Sequence, residues 1–95
     1  MAIQRYKNKI RIRFDIYTGY VDGQRKLAGA DFYVLDHWNF QRWQSKQSFS
    51  PHLEYRNVSS LDIVFEAPRS DYYFFVWNNT EPIFKYGDFY LYYLE

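Results

Sequence analysis

The chain lacks several features that would assign a protein to a class at once. It contains no cysteine, so it can form neither a disulfide framework nor a thiolate zinc site. No apolar run approaches the roughly 18–20 residues that span a bilayer, and the basic N-terminus is not followed by an apolar segment. We therefore expect neither a membrane span nor a signal peptide. The net charge of +1 also argues against a globally basic nucleic-acid binder.

The length of 95 residues predicts one domain over residues 1–95, because single hydrophobic cores usually form in units of roughly 100–150 residues. Without a membrane span or signal peptide, we expect this domain to be soluble. A chain without cysteine suits the reducing cytoplasm, and the same absence is common in thermophile proteins. Hydrophobic residues make up 47% of the chain and charged residues 24%, which is typical of a folded globular protein and not of a disordered one.

Residues that support catalysis or metal binding are sparse. The two histidines, His37 and His52, have no carboxylate motif at ligand spacing, whereas a metal site needs three or four converging ligands. No G-x-S-x-G elbow is present, and the 4 glycines do not cluster into a phosphate-binding loop. We therefore predict a protein that is not an enzyme and has no catalytic residues, metal or cofactor.

Aromatic residues are abundant instead, with 11 Tyr, 9 Phe and 3 Trp giving 24% of the chain. Such residues favour pleated, half-buried surfaces. Residues 9–17 alternate between polar and apolar side chains, which predicts a strand with one buried face. Asp22-Gly23 supplies turn chemistry, and residues 27–35 return as a second strand.

The alternating pattern changes after Asp36, which can cap a helix. Phe40 and Trp43 are three residues apart, and we predict one short helix from near His37 to Ser45. A short strand or extended segment follows at 52–58, and alternation over 61–67 predicts another strand. The apolar run 71–79 lacks polar alternation and predicts a central strand with both faces covered.

The end of the chain completes the pattern with a short strand at 83–86, a turn or bulge at 87–88 and a last strand at 89–95. Short strands separated by turns every eight to twelve residues or so are typical of a sandwich. We predict an all-β antiparallel β-sandwich, with Greek-key or jelly-roll-like connections and one short helix near residues 37–45.

Core and turn residues in the middle of the chain follow a familiar order. The order begins with a strand that ends in an acid, Asp36, and a helix with two aromatic residues, Phe40 and Trp43. They are followed by an Asn-Val-Ser-Ser element at 57–60, a turn at Pro68 and an aromatic strand at 72–79. Over roughly residues 30–79 this order resembles the GOLD (Golgi dynamics)-type β-sandwich domains and their archaeal relatives. The resemblance implies a non-catalytic interaction module that binds cargo or partner proteins.

Basic residues recur at every second position near the N-terminus, at Arg5, Lys7, Lys9, Arg11 and Arg13. On an extended strand they point to one side in a row about 26 Å long. Such a row could bind a phosphate backbone or an anionic membrane surface. Alternatively, the basic residues protect a strand edge and are neutralised by an acid on a neighbouring strand, with Asp15, Asp31 and Asp62 as candidates.

A Trp beside an Arg is a typical interface anchor, and Trp38 and Arg42 stand one helical turn apart. If Phe40 faces the core, Trp38 is exposed, although it could also be half-buried under the 48–52 loop. A thin sandwich cannot hide every aromatic ring, and surplus rings most often form a protein interface.

We therefore predict a non-catalytic binding or assembly module. It would engage a protein partner, or itself as a homodimer, through Trp38, Arg42, Trp77 and Tyr92. One alternative is binding of nucleic acid or phospholipid through the basic row, and a further alternative is carbohydrate binding by stacking on exposed rings.

Overall fold

A computed structural model describes residues 9–94 as two packed antiparallel sheets and one helix. The predicted all-β antiparallel sandwich with one short helix is confirmed. The elements in chain order are β1 (Lys9–Val21), β2 (Gln24–Leu27), β3 (Ala30–Asp36), α1 (His37–Gln44), β4 (Leu53–Val58), β5 (Ser60–Glu66), β6 (Tyr73–Asn78) and β7 (Tyr86–Tyr93). The domain is flat, with extents of 51 × 34 × 14 Å.

Strand β1 is the centre of the first sheet, which we call sheet A. It pairs with β7 along one side, while β5 and then β2 pair along its other side. The β1–β2 hairpin turns at Asp22 and Gly23, whose φ angles of 53° and 79° lie in the left-handed region that Asp-Gly tolerates. The predicted turn is therefore confirmed, and β1 extends to Val21 because β2 pairs with its second half. The prediction of one return strand over 27–35 is wrong, because the chain leaves this sheet after Leu27 and β3 belongs to the other sheet.

The second sheet, sheet B, has the order β4-β3-β6. Its central strand is β3, in which only Asp31 is not fully buried. The prediction that the 71–79 run forms a central strand is wrong, because β6 pairs with β3 alone among the described residues. Its continuous apolar pattern arises because the inter-sheet core covers one face of β6 and the helix covers the other.

The end of the chain also differs from the prediction. No strand forms at 83–85, and Gly87 and Asp88 lie inside β7 instead of in a turn, because they pair with Ile16 and Asp15 of β1. Strand β7 is therefore a regular eight-residue edge strand.

The main core lies between the two sheets. Its fully buried side chains come from alternate positions of β1, β3 and β5, namely Ile12, Phe14, Ile16, Ala30, Phe32, Val34 and Phe65. Burying one large side chain of this kind stabilises a fold by roughly 1.5–3 kcal/mol. The rings interlock, with the Phe32 centroid 5.2 Å from that of Phe14 and 5.0 Å from that of Trp77.

A smaller core lies between sheet B and α1. Tyr33, Leu35 and Val76 are buried there, and the Phe40 ring stacks on Phe74 at 3.9 Å. The helix begins as predicted because the Asp36 carboxylate accepts a hydrogen bond of 2.8 Å from the Asn39 backbone N–H. At eight residues it is far shorter than a bilayer span, and residues 9–94 contain no helix long and apolar enough to cross a membrane.

Candidate interaction surface

The outer faces of the two sheets differ in what covers them. On sheet B, α1 packs against alternate residues of β3 and β6. On sheet A, no helix or further sheet in the described part of the chain covers the outer face. Among the described residues, that face is therefore an open area of regular structure, and its side chains are candidates for a binding surface.

Tyrosine and arginine dominate this open face because β1 and β7 are neighbours, and the alternating polar residues of β1 lie beside the alternating tyrosines of β7. Strand β1 contributes its polar positions, and the register places Tyr92 beside Arg11 and Tyr90 beside Arg13. We call the whole set the Tyr–Arg face; it consists of Arg11, Arg13, Tyr17, Tyr20, Arg25, Tyr86, Tyr90 and Tyr92. Its most exposed rings are Tyr20 at 64% and Tyr86 at 58%.

The arginines of this face are paired with carboxylates. Arg11 donates to both oxygens of Asp62, at 2.9 and 2.7 Å, and Arg13 Nε lies 3.8 Å from the same carboxylate. Arg25 Nη2 lies 2.6 Å from Asp88 Oδ2. The hydrogen bond and charge of Arg11 lower the pKa of Asp62 below its ordinary value, so the carboxylate stays ionised.

The tyrosine rings are held in place by the same arginines. The Arg25 guanidinium lies over the Tyr17 ring at 4.6 Å, and that of Arg13 lies over Tyr90 at 5.6 Å. Tyr17 also stacks on Tyr86 at 5.8 Å. Burial, followed by the nearby Asp88 charge, raises the pKa of Tyr17, which keeps its hydroxyl protonated as a hydrogen-bond donor.

A shallow, open depression of about 260 Å³ lies beside Tyr90. Arg13, Asp15, Ser60 and Asp62 supply its polar lining, and the Ser60 hydroxyl donates to Asp15 at 2.6 Å. Within residues 9–94, no group of three His, Asp or Glu side chains is arranged to hold a metal ion. The depression therefore offers one exposed ring, that of Tyr90, and several paired polar groups at the surface.

The predicted anion-binding row is only partly within the described residues. Arg5 and Lys7 lie outside them. Lys9 is exposed, whereas Arg11 and Arg13 share Asp62, so the predicted neutralisation by an acid on a neighbouring strand is confirmed. The prediction that the row protects a strand edge is wrong, because β1 has strand partners on both sides. Cross-strand pairing thus compensates part of the positive charge.

The four predicted partner-binding residues do not form one surface. Tyr92 belongs to the Tyr–Arg face and is 42% exposed. Trp38 and Arg42 lie on α1, on the opposite side of the sandwich. Trp77 is half-buried between the sheets, 4.6 Å from Phe89 by ring centroids, and its indole Nε1 is buried without a hydrogen-bond partner in the described structure.

The expected exposure of Trp38 is confirmed at 63%. The Arg42 guanidinium lies 5.5 Å from the centre of its ring and also donates to the Ser48 carbonyl. Phe40 and Trp43 face sheet B, so the helix places Trp38 on its solvent side. The role of this pair in binding a partner stays a prediction.

Sequence reasoning did not select several residues of the Tyr–Arg face, namely Tyr17, Tyr20, Arg25 and Tyr86. The available signal was the spacing of Tyr86, Asp88, Tyr90 and Tyr92, which has the same period as the basic row. Only the pairing of β1 with β7 shows that the two patterns share a face.

Comparison with known proteins identifies no relative. No protein-family model, curated protein or solved structure matches the chain. The functional argument therefore depends on the geometry of the described residues.

Proposed function

We propose that this protein is a non-catalytic binding module that engages a protein partner through the Tyr–Arg face. The observation that supports it is the uncovered outer face of sheet A, where exposed tyrosines alternate with arginines. Tyr and Arg are enriched among the residues that contribute most binding energy at protein interfaces. A tyrosine ring offers a large contact area, and its hydroxyl can bond to a partner's backbone.

The fixed geometry of the face supports binding. Each immobilised flexible side chain costs an interface roughly 0.5–1.5 kcal/mol. Here Arg11 is held by two hydrogen bonds to Asp62, and Arg25 is held between Asp88 and the Tyr17 ring. Much of that ordering cost is therefore met within the free protein, before a partner arrives.

The balance of charge favours a protein over an anionic polymer. A phosphate that approached Arg11 or Arg13 would compete with the Asp62 carboxylate, which lies 2.7 Å from Arg11. A protein surface can instead use the neutral rings and accept the existing ion pairs at the rim of the contact. The resemblance to GOLD-type domains supports the same class of function.

The test compares two variants on opposite sides of the sandwich. Proteins captured by the wild-type chain are identified, produced in pure form and titrated by calorimetry against each variant. Tyr90→Ser with Tyr92→Ser should weaken binding at least about tenfold, which corresponds to about 1.4 kcal/mol. Tyr72→Ser, at an exposed ring beside His37 on the helix side, is the matched control and should bind like the wild type.

Two results would contradict the proposal. The first is a purified partner that binds the double tyrosine variant as tightly as the wild type. The second is strong binding of a single-stranded oligonucleotide, anionic vesicles or an oligosaccharide by a chain that binds no protein. Affinity measured at several salt concentrations distinguishes the oligonucleotide and the vesicles from a protein or an oligosaccharide, because phosphate contacts weaken steeply as salt rises.

A further inference from the structure

Three arginines and three aspartates lie close together on the outer face of sheet A, namely Arg11, Arg13, Arg25, Asp15, Asp62 and Asp88. Two close ion pairs account for four of them. Arg11 lies 2.7 Å from Asp62. Arg25 lies 2.6 Å from Asp88. One cation, Arg13, and one anion, Asp15, remain, and both line the depression beside Tyr90.

The Arg13 guanidinium keeps its hydrogen-bond donors available. Its nearest carboxylate oxygen, Asp62 Oδ2, is 3.8 Å away and already accepts from Arg11 at 2.7 Å. Within residues 9–94 the Arg13 side chain makes no hydrogen bond, and it is 51% exposed. Its guanidinium lies over the Tyr90 ring at 5.6 Å. Contact with a ring leaves the N–H groups at the edge of a guanidinium free to bind a carboxylate with two hydrogen bonds.

Asp15 is a half-buried carboxylate without a cation. One of its oxygens accepts from the Ser60 hydroxyl at 2.6 Å, and no Lys, Arg or His of the described chain forms an ion pair with it. The register also places Asp15 opposite Asp88, and like charges directly opposite each other destabilise a sheet. Arg25 compensates Asp88 alone. A cation supplied by a ligand would therefore pair with Asp15 and reduce this repulsion.

The spacing of the two unpaired charges restricts the ligand. Arg13 and Asp15 are alternate residues of β1 and lie on the same face, so their Cα atoms are about 7 Å apart. A ligand that satisfies both must carry an anion and a cation at a similar separation. Alternate side chains of an extended peptide have this spacing, whereas the two charges of a free amino acid are much closer together. Nucleic acids and anionic lipids offer anions only, and Asp15 would repel them.

We propose that the depression binds an extended segment of a protein partner in which an acidic and a basic residue are separated by one residue. The proposal rests on the binding function above and states the chemistry of the partner. The acidic side chain pairs with Arg13, the basic side chain pairs with Asp15, and the Tyr90 ring forms one wall of the contact. The residue between them points away from the sheet, because successive side chains of an extended segment alternate.

The two charges select the segment more than they hold it. Exposed ion pairs contribute little to affinity, so one short segment by itself should bind in the millimolar range. The exposed tyrosine rings of the Tyr–Arg face supply the remaining contact in a whole partner. A segment without the charge pair would cover Arg13 and Asp15 with neutral groups, which disfavours its binding.

Short synthetic peptides with identical neutral flanks test the charge pattern directly. Their central residues are Glu-Thr-Lys, Glu-Thr-Glu, Lys-Thr-Lys or Gln-Thr-Gln. Each peptide is titrated to about 10 mM into the wild-type chain, and binding is followed by the amide chemical shifts of the protein. The Glu-Thr-Lys peptide should bind at least about fivefold more tightly than the other three, because it alone satisfies both charges. The shifts should centre on residues 13–15, 60–62 and 90.

Two charge reversals should change the preferred peptide. Arg13→Glu leaves two carboxylates at the depression and should prefer Lys-Thr-Lys, whereas Asp15→Lys places two cations there and should prefer Glu-Thr-Glu. The matched controls Lys26→Glu and Glu66→Lys change the net charge equally, at exposed positions about 20 Å along β1 from the residues that they control. Both controls should keep the wild-type preference. Asp15→Asn is a milder change, and it should remove the preference for Glu-Thr-Lys over Glu-Thr-Glu. Circular dichroism shows that each variant folds.

The outcomes separate this inference from the proposed function. Equal affinity of the wild type for all four peptides, or an unchanged order in Arg13→Glu and Asp15→Asn, would overturn the assigned charge pattern. Either result leaves the calorimetric test of the tyrosine variants standing, because that test depends on Tyr90 and Tyr92. Shifts centred away from the depression would overturn its location. Phosphatidylcholine carries both charges in its headgroup, and tighter binding of its vesicles than of any peptide would overturn the assignment to a protein segment. The expected change of preferred peptide in the reversal variants supports the proposal.

Discussion

Replacement of Asp36 by alanine should destabilise the junction between the two cores. Asp36 is a buried charged residue, with 4% of its surface exposed. One carboxylate oxygen accepts from the Asn39 backbone at 2.8 Å and from the Asn39 side chain at 2.9 Å. The other lies 3.2 Å from Arg69 Nη2 and 3.3 Å from His52 Nε2.

The size of the expected loss in the free energy of unfolding follows from these contacts. Loss of a helix N-cap costs about 1 kcal/mol. The contact with Arg69 adds little because the Arg69 side chain is 62% exposed and screened by water. The contact with His52 adds about 1 kcal/mol, since its side chain is only 23% exposed. Asp36→Ala should therefore lower the free energy of unfolding by about 2 kcal/mol, or the melting temperature by about 8–16 °C.

Asp36→Asn separates the contribution of the helix cap to stability from that of the negative charge. An asparagine oxygen can still accept from Asn39, and Asn is as good an N-cap as Asp. This variant should lose only about 1 kcal/mol, because it gives up the charged contacts alone. Urea unfolding followed by far-ultraviolet circular dichroism measures both losses. An Asp36→Ala loss under about 0.5 kcal/mol, or equal losses in the two variants, would refute the assignment of Asp36 as a stabilising cap.

The Asp36 carboxylate also makes the stability of the folded protein depend on pH. Burial alone would raise the pKa of Asp36, but hydrogen bonds from Asn39 and His52 outweigh burial and hold the pKa below its ordinary value. A lowered pKa in the folded state stabilises the protein above the unfolded pKa of about 4, and that stabilisation is lost as the pH falls through the folded pKa. The stability difference between the wild type and Asp36→Ala should thus be largest at neutral pH and shrink below about pH 4.

Three further substitutions test the core and the open face. Phe32→Ala removes a fully buried ring and should cost about 3–5 kcal/mol in urea unfolding; a loss below about 2 kcal/mol would contradict its central place in the core. Trp77→Phe removes the unpaired buried N–H and should cost less than about 1.5 kcal/mol by the same measurement, whereas a larger loss would indicate that Nε1 has a partner. Asp62→Asn releases Arg11 and Arg13, so binding of a single-stranded oligonucleotide at low salt should rise above the wild-type level; unchanged binding would show that Asp62 does not limit the charge of this face.

Local patterns predicted much of the fold. Alternation over Ile10, Ile12, Phe14 and Ile16 identified both β1 and its buried face, because a strand directs successive side chains to opposite sides. Asp22-Gly23 identified the hairpin turn, since both residues tolerate a positive φ. Asp36 identified the start of α1 through its capping side chain. Each of these features depends on residues within a few positions of one another.

The tertiary structure decided what the local patterns left open. Aromatic runs at 71–79 and 89–94 look alike in sequence, yet the first is covered on both faces and the second is a strand whose side chains at 89–93 stay exposed. Likewise, the basic row of β1 could have faced any acid, and only the pairing with β5 placed Asp62 between Arg11 and Arg13. Periodicity fixes which side of a strand is buried, but the choice of neighbouring strand depends on contacts between residues more than 50 positions apart, where the two sheets close around one core.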